Sequence, residues 1–114
     1  MGEEETPETC VVMITCGTED EARRIGRQLV DERLVACASV QASVDSIYRW
    51  KGKVEEDVET GLILKTCRSH VERVVERVKE LHSYELPEVV ALPIVAGLGP
   101  YIQWIREMTA AHDG

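Results

Sequence analysis

Apolar and polar positions along the chain fall into blocks of two different periods. Thr9-Cys10-Val11-Val12-Met13-Ile14-Thr15 is a short, nearly continuous apolar run rich in β-branched residues, the pattern of a strand buried on both faces. Cys16-Gly17-Thr18-Glu19 breaks it. From Asp20 to Glu32 the apolar positions are Ala22, Ile25, Leu29 and Val30, with Arg23, Arg24, Arg27 and Asp31 opposite. That spacing predicts an amphipathic helix, with Thr18 or Asp20 as its cap.

Period two then takes over. Between Ala36 and Trp50 the even positions read Ala36, Ala38, Val40, Ala42, Val44, Ser46, Tyr48 and Trp50. The odd ones read Cys37, Ser39, Gln41, Ser43, Asp45, Ile47 and Arg49. Apart from Ser46 and Ile47, this is a strand with one buried face. Lys51-Gly52-Lys53 supplies a turn, with Gly52 free to take positive φ. Val54, Val58, Leu62 and Leu64 resume the alternation against Glu55, Asp57, Glu59 and Lys65, predicting one antiparallel hairpin whose arms keep a single phase. Each arm spans ~50 Å at ~3.3 Å per residue, against a radius of gyration of ~13 Å for a compact domain. The hairpin must therefore bend back, at a bulge around Asp45-Ser46, or project. A projecting arm tipped with Tyr48 and Trp50 exposes strand edges and aromatic surface, which identical subunits cover most simply. Tyr48 and Trp50 are accordingly expected in a subunit interface.

Ser69 and Glu72 form a capping-box pattern, and Val71, Val74, Val75, Val78 and Leu81 a helical stripe. His82 to Pro87 ends it. Glu88 to Val95 reads as a strand, with Pro93 at an edge or end. Gly97, Gly99 and Pro100 break the chain again before a short helix marked by Tyr101, Ile102, Trp104, Ile105 and Met108. The order β-α-β-β-α-β-α predicts an α+β, ferredoxin-like fold: βαββαβ plus a C-terminal helix, an antiparallel sheet with helices on one face and a long projecting hairpin. One domain is expected over residues 9–109, with 1–8 a disordered acidic tail and 110–114 a second tail.

Charge narrows the partners. Thirteen Lys and Arg against 21 Asp and Glu give a net charge of −8 over 114 residues. Nucleic acid and anionic membrane surfaces both select basic faces, so neither is expected. No apolar run is long enough for a transmembrane helix. The start lacks the basic and apolar parts of a secretory signal. Gly2 and Thr6 match the myristoylation pattern, but Glu3, Glu4 and Glu5 would repel anionic lipid. A cytoplasmic setting follows, with Cys10, Cys16, Cys37 and Cys67 reduced.

Little in the chain suggests catalysis. Cys16-Gly17-Thr18-Glu19-Asp20 is too acidic for a phosphate cradle, and no Ser–His–acid set is visible, so an enzyme is not expected. Glu55, Glu56, Asp57 and Glu59 face Arg49, Lys51 and Lys53 as cross-strand pairs, or alternatively as a cation-collecting rim. Cys16, Cys37, Cys67, His70 and His82 are donors that suit copper or zinc. None has zinc-finger spacing. Cys16 and His82, each at an element end, are the pair that tertiary structure can join; Cys37 and Cys67 read equally as small core hydrophobes, and His82 as a helix-dipole partner.

Several long segments resemble the CutA divalent-cation tolerance proteins. They are Glu32-Arg33-Leu34-Val35-Ala36-Cys37-Ala38-Ser39-Val40, Ser46-Ile47-Tyr48-Arg49-Trp50-Lys51-Gly52-Lys53-Val54-Glu55-Glu56-Asp57, Ile63-Leu64-Lys65-Thr66, the stretch from Leu81 to Ile94 with His82-Ser83-Tyr84-Glu85-Leu86-Pro87, and Tyr101-Ile102-Gln103-Trp104-Ile105. The resemblance implies a ferredoxin-like protomer in a homotrimer, similar to PII-type signalling proteins, with copper or another divalent cation as ligand. By position Cys16 and His82 resemble family copper ligands, and Leu81 stands where some members carry a second histidine. Ser39 and Ser83 replace a common asparagine and proline. Cys37, Ser39, Trp50, Glu59, Lys65 and Tyr84 match residues lining an inter-subunit cleft. A divalent-cation-binding, non-enzymatic trimer is the leading expectation; a PII-like trimer binding a small anionic metabolite in that cleft is the alternative.

Overall fold

The computed structural model describes residues 8–110. β1 (Thr9–Cys16), α1 (Glu19–Asp31), β2 (Cys37–Trp50), β3 (Lys53–Cys67), a 3-10 turn (Arg68–His70), α2 (Val71–Leu81), β4 (Val89–Pro93) and α3 (Gly99–Met108) follow in order. The sheet order is β2-β3-β1-β4, with every neighbouring pair antiparallel. This is the expected α+β ferredoxin-like arrangement. Residues 1–7 and 111–114, read as tails, lie outside the described residues; Glu8 already offers its carbonyl to the Arg68 N–H.

Alternation sorts the core. Cys10, Val12, Ile14 and Cys16 of β1, with Leu62 and Leu64 of β3, are buried against Ala22, Ile25 and Leu29 of α1 and Val74 and Val78 of α2. Helix α1 approaches so closely that a Cβ on Gly26 would lie 2.9 Å from Ala38 Cβ and 3.2 Å from Leu62 Cδ1. Thr18 caps this helix, its Oγ1 accepting the Glu21 N–H at 3.1 Å. The Ser69–Glu72 box does not form. A 3-10 turn precedes α2, so His70 occupies the cap position and no side chain caps the helix.

The face away from α1 and α2 is only partly covered. Helix α3 lies over one end of it, where Thr109 Oγ1 meets Cys67 Sγ at 3.5 Å and the Tyr101 hydroxyl sits 3.6 Å from Cys37 Sγ. The rest is bare. Met13, Val90 and Leu92, adjacent through the β1–β4 register, are 38%, 50% and 48% exposed. β1 is therefore buried on one face within a single chain, not on both as its apolar run predicts.

The hairpin projects. The molecule measures 51 × 29 × 23 Å with a radius of gyration of 15.4 Å, above the ~13 Å of a compact chain this long. Lys51 and Gly52 both take positive φ, 51° and 83°, the two-residue turn whose twist suits a hairpin. The arms do not keep one phase. Gln41 pairs with Gly61 but Val44 with Glu59, so Ala42 and Ser43 oppose Thr60 alone, with Ser43 at φ 66°. This β-bulge, not Asp45-Ser46, is the irregularity, and one extra residue moves every later side chain to the other face. Ile47, the exception to the alternation, thereby joins Val54 and Val58 on the helix-side face. All three stand 60–69% exposed. Val44, Ser46, Tyr48 and Trp50 share the opposite face with Glu59, Asp57 and Glu55.

Candidate metal centre

Three chain segments converge at the C-terminal end of β1. Cys16 is the last residue of the strand, its side chain turned into the core with none of it exposed. Two residues on, Thr18 starts α1 and places Glu21 in the first turn. Leaving α2, the chain puts His82 over the same spot, where Nε2 takes the Thr15 carbonyl at 2.8 Å just past the point where β4 stops pairing with β1. The thiol of Cys16, a carboxylate oxygen of Glu21 and a ring nitrogen of His82 all lie within 4.8 Å of one another, and all three residues are buried.

The hydrogen bonds assign protons. An amide can only donate, so the Tyr84 N–H, 3.1 Å from His82 Nδ1, makes Nδ1 the acceptor, and the ring is neutral with its proton on Nε2. Nδ1 lies 3.8 Å from Glu21 Oε2. Glu21 takes the Ser83 N–H on Oε2 at 2.7 Å and the Gly17 N–H on Oε1 at 3.4 Å. Burial pushes its carboxyl up, but hydrogen bonds, chiefly from the Ser83 backbone and side chain, hold the pKa below the usual value. Burial, reinforced by Glu21 and Glu59, pushes the Cys16 thiol from 9.0 up to about 12. The centre thus holds a carboxylate, a neutral imidazole and a protonated thiol.

Thiolate, imidazole and carboxylate together suit zinc-like and copper(II)-like cations, whereas magnesium and calcium demand oxygen donors throughout. The donor set fits such an ion. Glu21 was not singled out by sequence reasoning; its signal is Thr18-x-x-Glu21, a capping-box spacing that already explains an acid there. Leu81, beside His82, packs against the hydrophobic core and its side chain offers no donor.

Around the centre, the Tyr84 ring packs tilted at 51° against His82, centroids 4.7 Å apart, and covers Gly17, where a Cβ would come 3.3 Å from its hydroxyl. That hydroxyl donates to Glu59 Oε2 at 2.7 Å. The other cleft residues fall apart within one chain. Cys37 pairs with Lys65, six residues of β3 away from Glu59, and Ser39 pairs with Ile63 on the same face. Trp50 pairs with Lys53 at the hairpin tip, ~40 Å from Lys65 at ~3.3 Å per residue. Tyr48, between them, donates its hydroxyl to Asp57. Cys67 and His70 lie at and just beyond the far end of β3 and join no group of three metal-ligand donors among the described residues. A separate cleft of about 440 Å³ between Glu8, Thr9, Pro93 and Arg106 contains none of the three donors. No helix among the described residues is long and apolar enough to cross a membrane.

Comparison with known proteins shows the family. The family described as CutA1 divalent ion tolerance protein matches residues 10–108. The "Divalent-cation tolerance protein CutA" of Thermus thermophilus is 48% identical over 99 residues, covering 87% of this chain and 96% of that one. Human "Protein CutA" is 44% identical over 96 residues, covering 84% of this chain but 54% of that protein, so the chain spans about half its length. Among solved structures, the Thermus thermophilus divalent cation tolerance protein aligns with a TM-score of 0.87 at 47% identity, covering 90% and 99% of the two chains. CutA1 from Oryza sativa aligns with a TM-score of 0.89 at 36% identity, covering 94% and 98%.

Proposed function

The chain belongs to the CutA1 divalent ion tolerance family, and from that premise we propose that each chain binds one divalent transition-metal cation through Cys16, Glu21 and His82. The observation that carries this is the convergence of three buried donors of different chemistry within 4.8 Å. Copper(II), the tightest-binding divalent ion for mixed nitrogen, oxygen and sulfur donors, is the expected physiological ligand. The role is binding rather than catalysis: a buried thiol raised to about 12 is a poor nucleophile at neutral pH. Cys16 serves as a donor only while reduced, which suits a cytoplasmic setting.

The working particle is a homotrimer. Supporting this are two exposed apolar groups, the strip of Met13, Val90 and Leu92 on the face the helices leave bare and Ile47, Val54 and Val58 on the opposite face of the projecting arm; exposed apolar patches of this kind mark interaction surfaces. Subunits packed on that face would bring Trp50 and Tyr48 of one copy towards the Glu59–Tyr84 or Cys37–Lys65 groups of another. Calorimetric titration of Zn²⁺ and Cu²⁺ into the intact chain, Cys16→Ser and His82→Ala tests the metal assignment. One ion per chain is expected, with each variant losing more than the ~10–100-fold that removal of an outer partner brings. Unchanged affinity in both variants overturns it.

A further inference from the structure

His82 has no spare nitrogen. Nε2–H is committed to the Thr15 carbonyl and Nδ1 to the Tyr84 amide, and the side chain is wholly buried. Nδ1 is the nitrogen on the Glu21 side, 3.8 Å from Oε2. A ring nitrogen has one lone pair, so His82 can present Nδ1 to a cation only by releasing the Tyr84 N–H. Glu21 faces no such choice. A carboxylate has about four acceptor sites, so it can keep Ser83 and Gly17 while also serving a cation. The conflict falls on residue 84 alone.

Tyr84 is also the residue that reaches out of the centre. Its amide holds His82, its ring lies on His82 and Gly17, and its hydroxyl holds Glu59. Glu59 follows the bulge and leads the acidic row of the projecting arm, pairing with Val44 of β2. Building on the metal assignment above, we infer that cation binding and the closed position of Tyr84 are mutually exclusive, so that occupancy of the centre is reported at Glu59 at the root of the arm. The chain without metal is the latched state: Tyr84 amide on Nδ1, hydroxyl on Glu59. The loaded chain is unlatched, with Ser83 still anchored to Glu21 and Glu59, a nearly buried carboxylate, released from its tyrosine. Linkage makes the coupling reciprocal, so anything that loosens the latch must tighten the metal.

Zn²⁺ is the probe, chosen because it has no redox chemistry. Amide hydrogen exchange resolved by residue is measured on the intact chain with and without saturating Zn²⁺. The Tyr84 amide is expected to exchange at least about ten times faster in the loaded chain, with the Ser83 amide unchanged or slower. Tyr84→Phe removes the hydroxyl bond to Glu59 only. Since one hydrogen bond is worth roughly a factor of 3–10, this variant is expected to bind Zn²⁺ about 3–10-fold more tightly. A purely structural tyrosine would give weaker binding instead. If Zn²⁺ binds, is lost in Cys16→Ser, and leaves Tyr84 protection intact, or if Tyr84→Phe binds no tighter, the latch is overturned and the metal assignment stands. If Zn²⁺ does not bind the intact chain, both fall together.

Discussion

Cation affinity should rise by a decade for every pH unit, well past the range in which ordinary thiols have finished titrating. Burial first, then Glu21 and Glu59, hold the Cys16 thiol at about 12. A thiolate is the ligand, so at pH 7 a binding ion must displace a proton at a cost of ~7 kcal/mol, five units at ~1.36 kcal/mol each. An unperturbed thiol at 9.0 would ask ~3 kcal/mol, so the protein environment lowers apparent affinity at neutral pH by ~3 decades. The other two donors add nothing: Nδ1 of His82 carries no proton in its hydrogen bond from Tyr84, and Glu21 is held ionised. One proton should leave per ion bound. Zn²⁺ competition against a chelator of known affinity, between pH 7 and 9.5, gives the slope. Calorimetry in two buffers of different ionisation enthalpy counts the proton independently. A slope that flattens near pH 9 would show that Cys16 is not held high, and zero protons released would show that no thiolate binds.

Acid should destabilise the fold in two steps. His70 has its pKa lowered from 6.5 by burial and by Arg73, and its buried Nδ1 has no hydrogen-bond partner among the described residues; Glu21 is lowered from 4.5 on balance. A group whose pKa is depressed by folding stabilises above its unfolded value and ceases to as pH falls through its folded one. Urea midpoints should therefore hold above pH 6.5, drop below it, and drop again below 4.5, with His70→Gln removing the first step and Glu21→Gln the second; a flat profile in the intact chain contradicts this. Gly26→Ala drives a methyl to within 2.9 Å of Ala38, so overpacking of ~1–3 kcal/mol should exceed the ~1 kcal/mol of helix propensity gained and lower the Tm; a raised Tm would mean that α1 can lift off the sheet. Light scattering should report a particle of three times the 12.8 kDa chain mass, and Val90→Lys with Leu92→Lys should reduce it to one; a monomeric intact chain removes the subunit interface.

Much of the fold is written in short-range pattern. The period-two run through β2, the Lys51-Gly52 turn and the apolar stripes of α1 and α2 all act locally, so each is readable without its neighbours. The bulge is not. Ala42-Ser43 carries no turn residue, and a one-residue insertion leaves the alternation intact on both sides of it. Only Ile47, apolar at a polar position, betrayed the phase change. The apolar run of β1 states that both faces avoid water, but not which of them the helices of the same chain leave bare. At the candidate metal centre, Cys16 and His82 are legible as soft donors at element ends. Glu21 is not, because a first-turn acid three residues after Thr18 is fully accounted for as a helix cap. The false Ser69–Glu72 box is the converse: the spacing was right, but a 3-10 turn consumed the serine.

The most direct test is X-ray absorption at the zinc edge of the Zn²⁺-loaded intact chain, which counts and identifies the atoms bound to the ion. One sulfur at ~2.3 Å with nitrogen and oxygen neighbours at ~2.0–2.2 Å is the result expected of Cys16, His82 and Glu21. A shell of light atoms alone would remove Cys16 from the site and with it the buried three-donor centre.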